Sequence, residues 1–278
     1  VGNNINGIVN IKLWPFMPLV VTWSVLDLLL RPQVNHGFSD FLFDISLYLF
    51  VLLWICIQLS KHEVGLSGIS KTPAEIPWRH ILFFVPLTKV TASILLMTLG
   101  VGIVYLFPSL LDMAATSNST ETPLLPMEVV YRFLLVIVIG PIAEEYFFRG
   151  VMLNKWKIKF GLFRGLLLTS LVFAVIHPLS FIGAFLMSML FSILYLKTER
   201  MLVAIIAHAF GNLIVFLTEL FVLPLFGTDT DGAQSVSEVP TTGHLIAASS
   251  LALLFLAVTV YGLYKIYPKK NRKAFNPI

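Results

Sequence analysis

The chain is short of charge. Of its 278 residues only 12% are Asp, Glu, Lys or Arg, about half the roughly 25% of a soluble domain. A protein surrounded by water is thereby excluded. Cysteine is scarcer still. The single Cys56 lies inside an apolar run, so neither an intrachain disulfide nor a CxxC metal site can form. Other chemical signatures are missing too. His62-Glu63 does not continue to HExxH, because Leu66 stands where the second histidine belongs. No serine sits in a GxSxG setting. Basic residues are not interleaved with aromatics, so nucleic acid is not an expected partner despite the net charge of +4. No basic segment precedes the first apolar run, which argues against a cleaved signal peptide. No strong internal repeat and no attached soluble domain can be read.

What remains is apolar. Hydrophobic residues make up 57% of the chain, and the mean hydropathy is +0.88. Runs of about 17–25 apolar residues are long enough to cross a bilayer. Eight such runs occur, at about 13–30, 41–59, 81–107, 129–151, 162–177, 181–196, 202–226 and 245–267. The fifth and sixth are short and are joined by little more than Pro178-Leu179-Ser180. The expected architecture is an all-α, polytopic bundle of about eight transmembrane helices, a single integral membrane domain over 1–278.

Loop charges set the orientation. Lys61, Lys71 and Arg79 fall between runs two and three; Lys155, Lys157, Lys159 and Arg164 between four and five; Lys197 and Arg200 between six and seven. Lys265, Lys269, Lys270, Arg272 and Lys273 follow the last run. The alternate loops carry Asp112, Glu121, Asp229, Asp231 and Glu238, with Arg31 as their basic exception. By the positive-inside rule both termini are expected in the cytoplasm. Asn118-Ser119-Thr120 is a glycosylation sequon on the expected outer side, of meaning only where the source glycosylates.

A few polar groups interrupt the apolar runs. The densest set is Gly140-Pro141-Ile142-Ala143-Glu144-Glu145-Tyr146-Phe147-Phe148-Arg149. Ionisable groups in a membrane helix cost about 2.5–3.5 kcal/mol each even on lenient scales, so a cluster of three points to use. Glu145 and Arg149 are four apart and share a face, so they are expected to pair. Glu144 is rotated by about 100° and is left free for chemistry. Gly140-Pro141 is expected to kink the helix and release a backbone carbonyl. His177 closes the fifth run, one turn after Phe173. His208 and Asn212 share a face of the seventh, where Ala207 and Gly211 let another helix come close. Each taken alone has a plain reading as interhelical glue or packing. Asp27, Asp44 and Lys89 read as snorkelling or packing groups, although nothing local pairs with Lys89.

Taken together, the pieces spell EExxxR, FxxxH and HxxxN in order, on successive membrane helices. This resembles the CPBP (Abi) family of intramembrane proteases, which includes the type II CAAX-processing endopeptidases. The likeness covers about 129–216, and every motif position matches. The resemblance implies an eight-helix bundle with a conical cavity open to the cytosol and a glutamate-dependent endopeptidase without cofactor or metal. Carried over, Glu144 would activate water with help from His177. His208 and Asn212 would stabilise the oxyanion, and Glu145, Arg149 and Phe173 would support the site. The chemistry is compatible, since Asn and His N–H groups suit a developing oxyanion. Two histidines and a glutamate could also serve zinc; the asparagine and the resemblance argue against it. The implied partner is a peptide or protein substrate, lipidated or membrane-anchored ones included. Two rival readings stay open: an ion-coupled transporter using Glu144, His177 and His208 as a relay, and a non-catalytic immunity or scaffold protein.

Depth poses a problem for this reading. With the fourth run ending at 151, Glu144 lies about 10–16 Å from the cytoplasmic end, while His177 lies near the outer end of the fifth. The two can meet if the Pro178–Ser180 turn is buried within the protein, as irregular backbone at membrane depth must be.

Overall fold

The computed structural model describes residues 5–30, 38–71, 75–110, 126–222 and 240–268. Among the described residues there is no strand, and eight helices have fourteen residues or more. They are α1 (Phe16–Leu30), α2 (Phe38–Lys61), α3 (Trp78–Leu106), α4 (Pro126–Phe160), α5 (Leu162–Val175), α6 (Phe181–Thr198), α7 (Met201–Leu217) and α8 (Thr242–Ile266). Within the described residues each apolar run is mostly helical. Six of them, α2, α3, α4, α6, α7 and α8, are long and apolar enough to cross a membrane. The protein is an all-α, multi-pass membrane bundle. Arg31, Asp112, Asn118, Glu121, Asp229, Asp231, Glu238, Lys269, Lys270, Arg272 and Lys273 lie outside the described residues, as does the side chain of Asp27.

The helix α4 is not uniform. Two wider, π-helical stretches, Leu134–Ile139 and Tyr146–Leu153, flank the α-helical Gly140–Glu145. Pro141 accounts for the first. A proline inside a helix lacks an N–H and clashes with the carbonyl one turn back; a wider turn relieves the clash. Gly140 N–H accordingly bonds Leu135 O, five residues back. In that register Val136 O would be served by residue 141, which has no N–H to give. Asn212 of α7 donates Nδ2–H to Val136 O instead, at 2.8 Å. The released carbonyl is therefore Val136 O, and its donor arrives from another helix.

Beyond the second wide stretch, α4 runs on to Phe160. The lysines expected in a loop, Lys155, Lys157 and Lys159, ride on its last turns. No glycine or proline interrupts 151–160, and cations suit a helix C-terminus. Hydropathy marks where the bilayer ends, not where the helix does. The chain then reverses at Gly161 (φ 89°) into α5. Counting at 1.5 Å per residue, Glu144 lies roughly 25 Å from that reversal along α4, and His177 lies roughly 24 Å from it along α5. Contact of Phe148 with Phe173, ring centroids 4.9 Å apart, confirms the matched register. The depth problem is removed by the length of α4, and the expected burial of the Pro178–Ser180 turn is wrong. None of its residues is buried, and Leu179 is 95% exposed.

The other helices brace this hairpin. Gly211 of α7 lets α6 approach: a Cβ there would lie 2.8 Å from Met187 Cε and 3.3 Å from Lys89 Cε. The close contact expected at the Ala207/Gly211 pair is realised, and the stem of Lys89 lies over the same glycine. Helix α8 follows α3, joined by a 2.7 Å hydrogen bond between the hydroxyls of Thr91 and Thr259. On the far side of α4, Phe147 packs against Phe16 of α1 and Trp54 of α2. The basic end is tied by Lys71 to Glu199, and the opposite end by Arg132 to Glu219.

Candidate active site

Two adjacent carboxylates on α4 have separate surroundings. Glu145 is fully buried. Its Oε1 accepts from Arg149 Nη1 at 2.8 Å and from His208 Nδ1 at 2.8 Å. The expected Glu145–Arg149 pair is present, and neither side chain has exposed surface. Arg149 spends its remaining donors on α6: Nη2 on Ser188 O (3.0 Å) and Oγ (2.8 Å), and Nε on Ser192 Oγ (3.3 Å). Its guanidinium also faces the rings of Phe173 and Phe191, at 5.1 and 5.4 Å. A buried charge with a partner on each of its three nitrogens avoids the penalty of an unpaired one.

Glu144 is the freer acid. Its Oε2, like Oε2 of Glu145, is buried without a hydrogen-bond partner among the described residues, but it faces His208 Nε2 at 3.8 Å. Because Glu145 accepts from Nδ1, that nitrogen of His208 carries the hydrogen. With the ring neutral, Nε2 and Oε2 are two lone-pair sites facing each other. A water donating to both satisfies them.

His177 is reached through a ring, not through a hydrogen bond to either acid. Its Nδ1–H donates to Phe173 O of its own helix at 2.8 Å, which leaves Nε2 as the open lone pair. Phe173 stacks on His177 at 4.5 Å and meets His208 edge-on at 5.9 Å. His208 is backed on its other side by Phe191, stacked at 4.8 Å. Phe173 thus touches His177, His208 and Arg149 at once. Asn212 sits one turn beyond His208 with one N–H given to Val136 O.

The structure brings Glu144, Glu145, Arg149, Phe173 and His208 into one cluster, with His177 against its aromatic wall. Four groups were not foreseen. Tyr48 of α2 places its hydroxyl 3.5 Å from Glu144 Oε1. Ser188, Ser192 and Phe191 of α6 complete the Arg149 cradle. The serines could have been found, since Ser188 and Ser192 are spaced four apart on one face of an apolar helix. Tyr48 lies in a run without a motif and gave no signal. Among the described residues no group of three or more His, Cys, Asp or Glu side chains is disposed to hold a metal ion.

These features define a multi-pass α-helical membrane protein with a buried cluster of carboxylate, guanidinium and imidazole groups between its helices. The chain is similar to a known family in the part that builds this site: residues 126–214 match the family described as type II CAAX prenyl endopeptidase Rce1-like, and the CPBP resemblance read from the motifs stands. A Bacillus subtilis (strain 168) protein named "Putative membrane peptidase YdiL" is 28% identical over 167 residues, 58% of this chain and 59% of that protein. An Escherichia coli protein, "Uncharacterized 24.3 kDa protein", is 27% identical over 88 residues, 29% of this chain and 41% of that protein. The chain thus spans about half the length of these relatives. No solved structure matches.

Proposed function

We propose that the protein is a membrane endopeptidase in which Glu144 activates water against a peptide carbonyl, without a metal. The observation that carries this reading is the division of labour between the two acids. Glu145 is neutralised by Arg149 and holds His208 by Nδ1, both through Oε1, whereas neither of these groups hydrogen-bonds Glu144, whose Oε2 has no hydrogen-bond partner among the described residues and faces Nε2 of the same ring.

The chemistry follows from the donors. Glu144 Oε2 accepts a proton from water as the water oxygen adds to the carbonyl carbon. The open Nε2 of His177 is suited to hold that water. The oxyanion is met by the second N–H of Asn212 and by His208. Glu144 then returns the proton to the amide nitrogen, the C–N bond breaks, and acid and amine products separate. Phe173 and Phe191 exclude bulk water and hold both His208 and Arg149 in place. The substrate class is a peptide or protein that reaches the membrane; a lipid anchor on it is compatible with the site but not required by the chemistry. The basic ends of the helices face the cytoplasm, and so do both termini.

Cleavage of a quenched peptide panel by purified protein in detergent tests the reading. Activity is expected to survive a chelator and to fall in Glu144→Ala by at least 10²–10³, the scale of losing one key group of an acyl-transfer site. Chelator-sensitive cleavage would replace it with a metallopeptidase, and an active Glu144→Ala would remove the glutamate.

A further inference from the structure

Glu144 has a neighbour on a helix that carries none of the motifs. Tyr48 reaches across from α2 and sets its hydroxyl 3.5 Å from Glu144 Oε1. A carboxylate only accepts, so the phenol donates. The approach is built into the backbone of α4. A Cβ on Gly140 would lie 3.2 Å from the Tyr48 hydroxyl, 3.3 Å from its Cζ and 2.8 Å from Leu135 O. The glycine beside the kink thus serves two ends: it lets the wide turn form, and it clears the path by which the phenol reaches the acid one turn later.

The two oxygens of Glu144 are thereby distinguished. Oε1 faces the phenol of α2. Oε2 faces His208 of α7 and has no hydrogen-bond partner among the described residues. The terminal torsion of a glutamate is broad and nearly two-fold, so an untethered carboxylate would present either oxygen to either side. We propose that Tyr48 is a positioning residue for Glu144: its hydroxyl holds Oε1 and keeps Oε2 turned toward His208, where water is activated. This rests on the reading of Glu144 as the base. The 3.5 Å separation is at the long limit of a hydrogen bond, as is common in resting sites that tighten around substrate. A hydroxyl acting this way changes the rate through the acid and not through substrate affinity.

Tyr48→Phe in the full chain isolates the hydroxyl, because the ring and its packing remain. The infrared carboxylate band of Glu144 is assigned as the band lost in Glu144→Gln, then read in wild type and in Tyr48→Phe. The expected result is a shifted band, with kcat lowered about 10- to 100-fold and KM unchanged, the range for losing a hydrogen bond to a charged group. An unshifted band overturns the contact. A shifted band with unchanged kcat overturns the positioning role, and so does a loss confined to KM. An active Glu144→Ala would instead sink the catalytic reading, and the band would still decide whether Tyr48 holds Glu144.

Discussion

Arg149 shows what a guanidinium requires in a membrane interior: each of its three nitrogens is met, by Glu145, Ser188 and Ser192, and two aromatic faces complete its surroundings. Removing it leaves Glu145 buried with only His208 to satisfy its charge. Arg149→Ala should lower stability by about 3–5 kcal/mol, the cost of breaking a buried pair from one side. The double replacement Glu145→Gln with Arg149→Met should recover much of that loss, because no charge is then left unmatched. Denaturant unfolding in mixed micelles measures both, and a double variant no better than Arg149→Ala would refute the pairing argument. At this scale the sequence was informative where groups share a helix. The spacing of Glu145 and Arg149 foretold their bond, and the offset of Glu144 foretold its freedom. What comes from other helices was hidden. The serines of α6 were visible as a pattern without a purpose, and Tyr48 was one aromatic among many.

The bent helix α4 sets the arrangement by which α7 is held. Pro141 withholds an N–H, Val136 O is left open, and Asn212 closes the gap. Asn212→Ala should therefore cost about 1–3 kcal/mol for a carbonyl left unsatisfied away from water in the bilayer. In a Pro141→Ala background residue 141 regains its N–H, and the same change should cost less than about 1 kcal/mol. The coupling between the two sites, read by a double-mutant cycle in unfolding midpoint, distinguishes this from a simple packing loss. The Gly140-Pro141 pair announced a released carbonyl, but no local pattern names the donor. The far end of α4 was misread for a related reason: charge at Lys155, Lys157 and Lys159 signals water, whereas only a breaker such as Gly161 signals the end of a helix.

For the whole molecule, hydropathy located all eight runs, because in lipid every backbone group must be satisfied within a helix. The orientation we propose comes from the loop charges instead. In a Cys56→Ser background, a cysteine placed at Lys159 should be shielded from membrane-impermeant maleimide in intact cells. One placed at Gly243, at the opposite end of the bundle, should be labelled at once. The reverse pattern would invert the topology. Hydropathy could not reveal depth, which depends on helix lengths on both sides of a turn. Glu144 and His177 are level because the two arms that meet at Gly161 count out to nearly the same length. The hairpin behaves as a pair of calipers. One residue gained on a single arm would part the tips by about 1.5 Å and swing one of them about 100° aside. Along a lineage, apolar substitutions on the lipid-facing sides of these arms should drift freely, while insertions and deletions survive only in matched pairs.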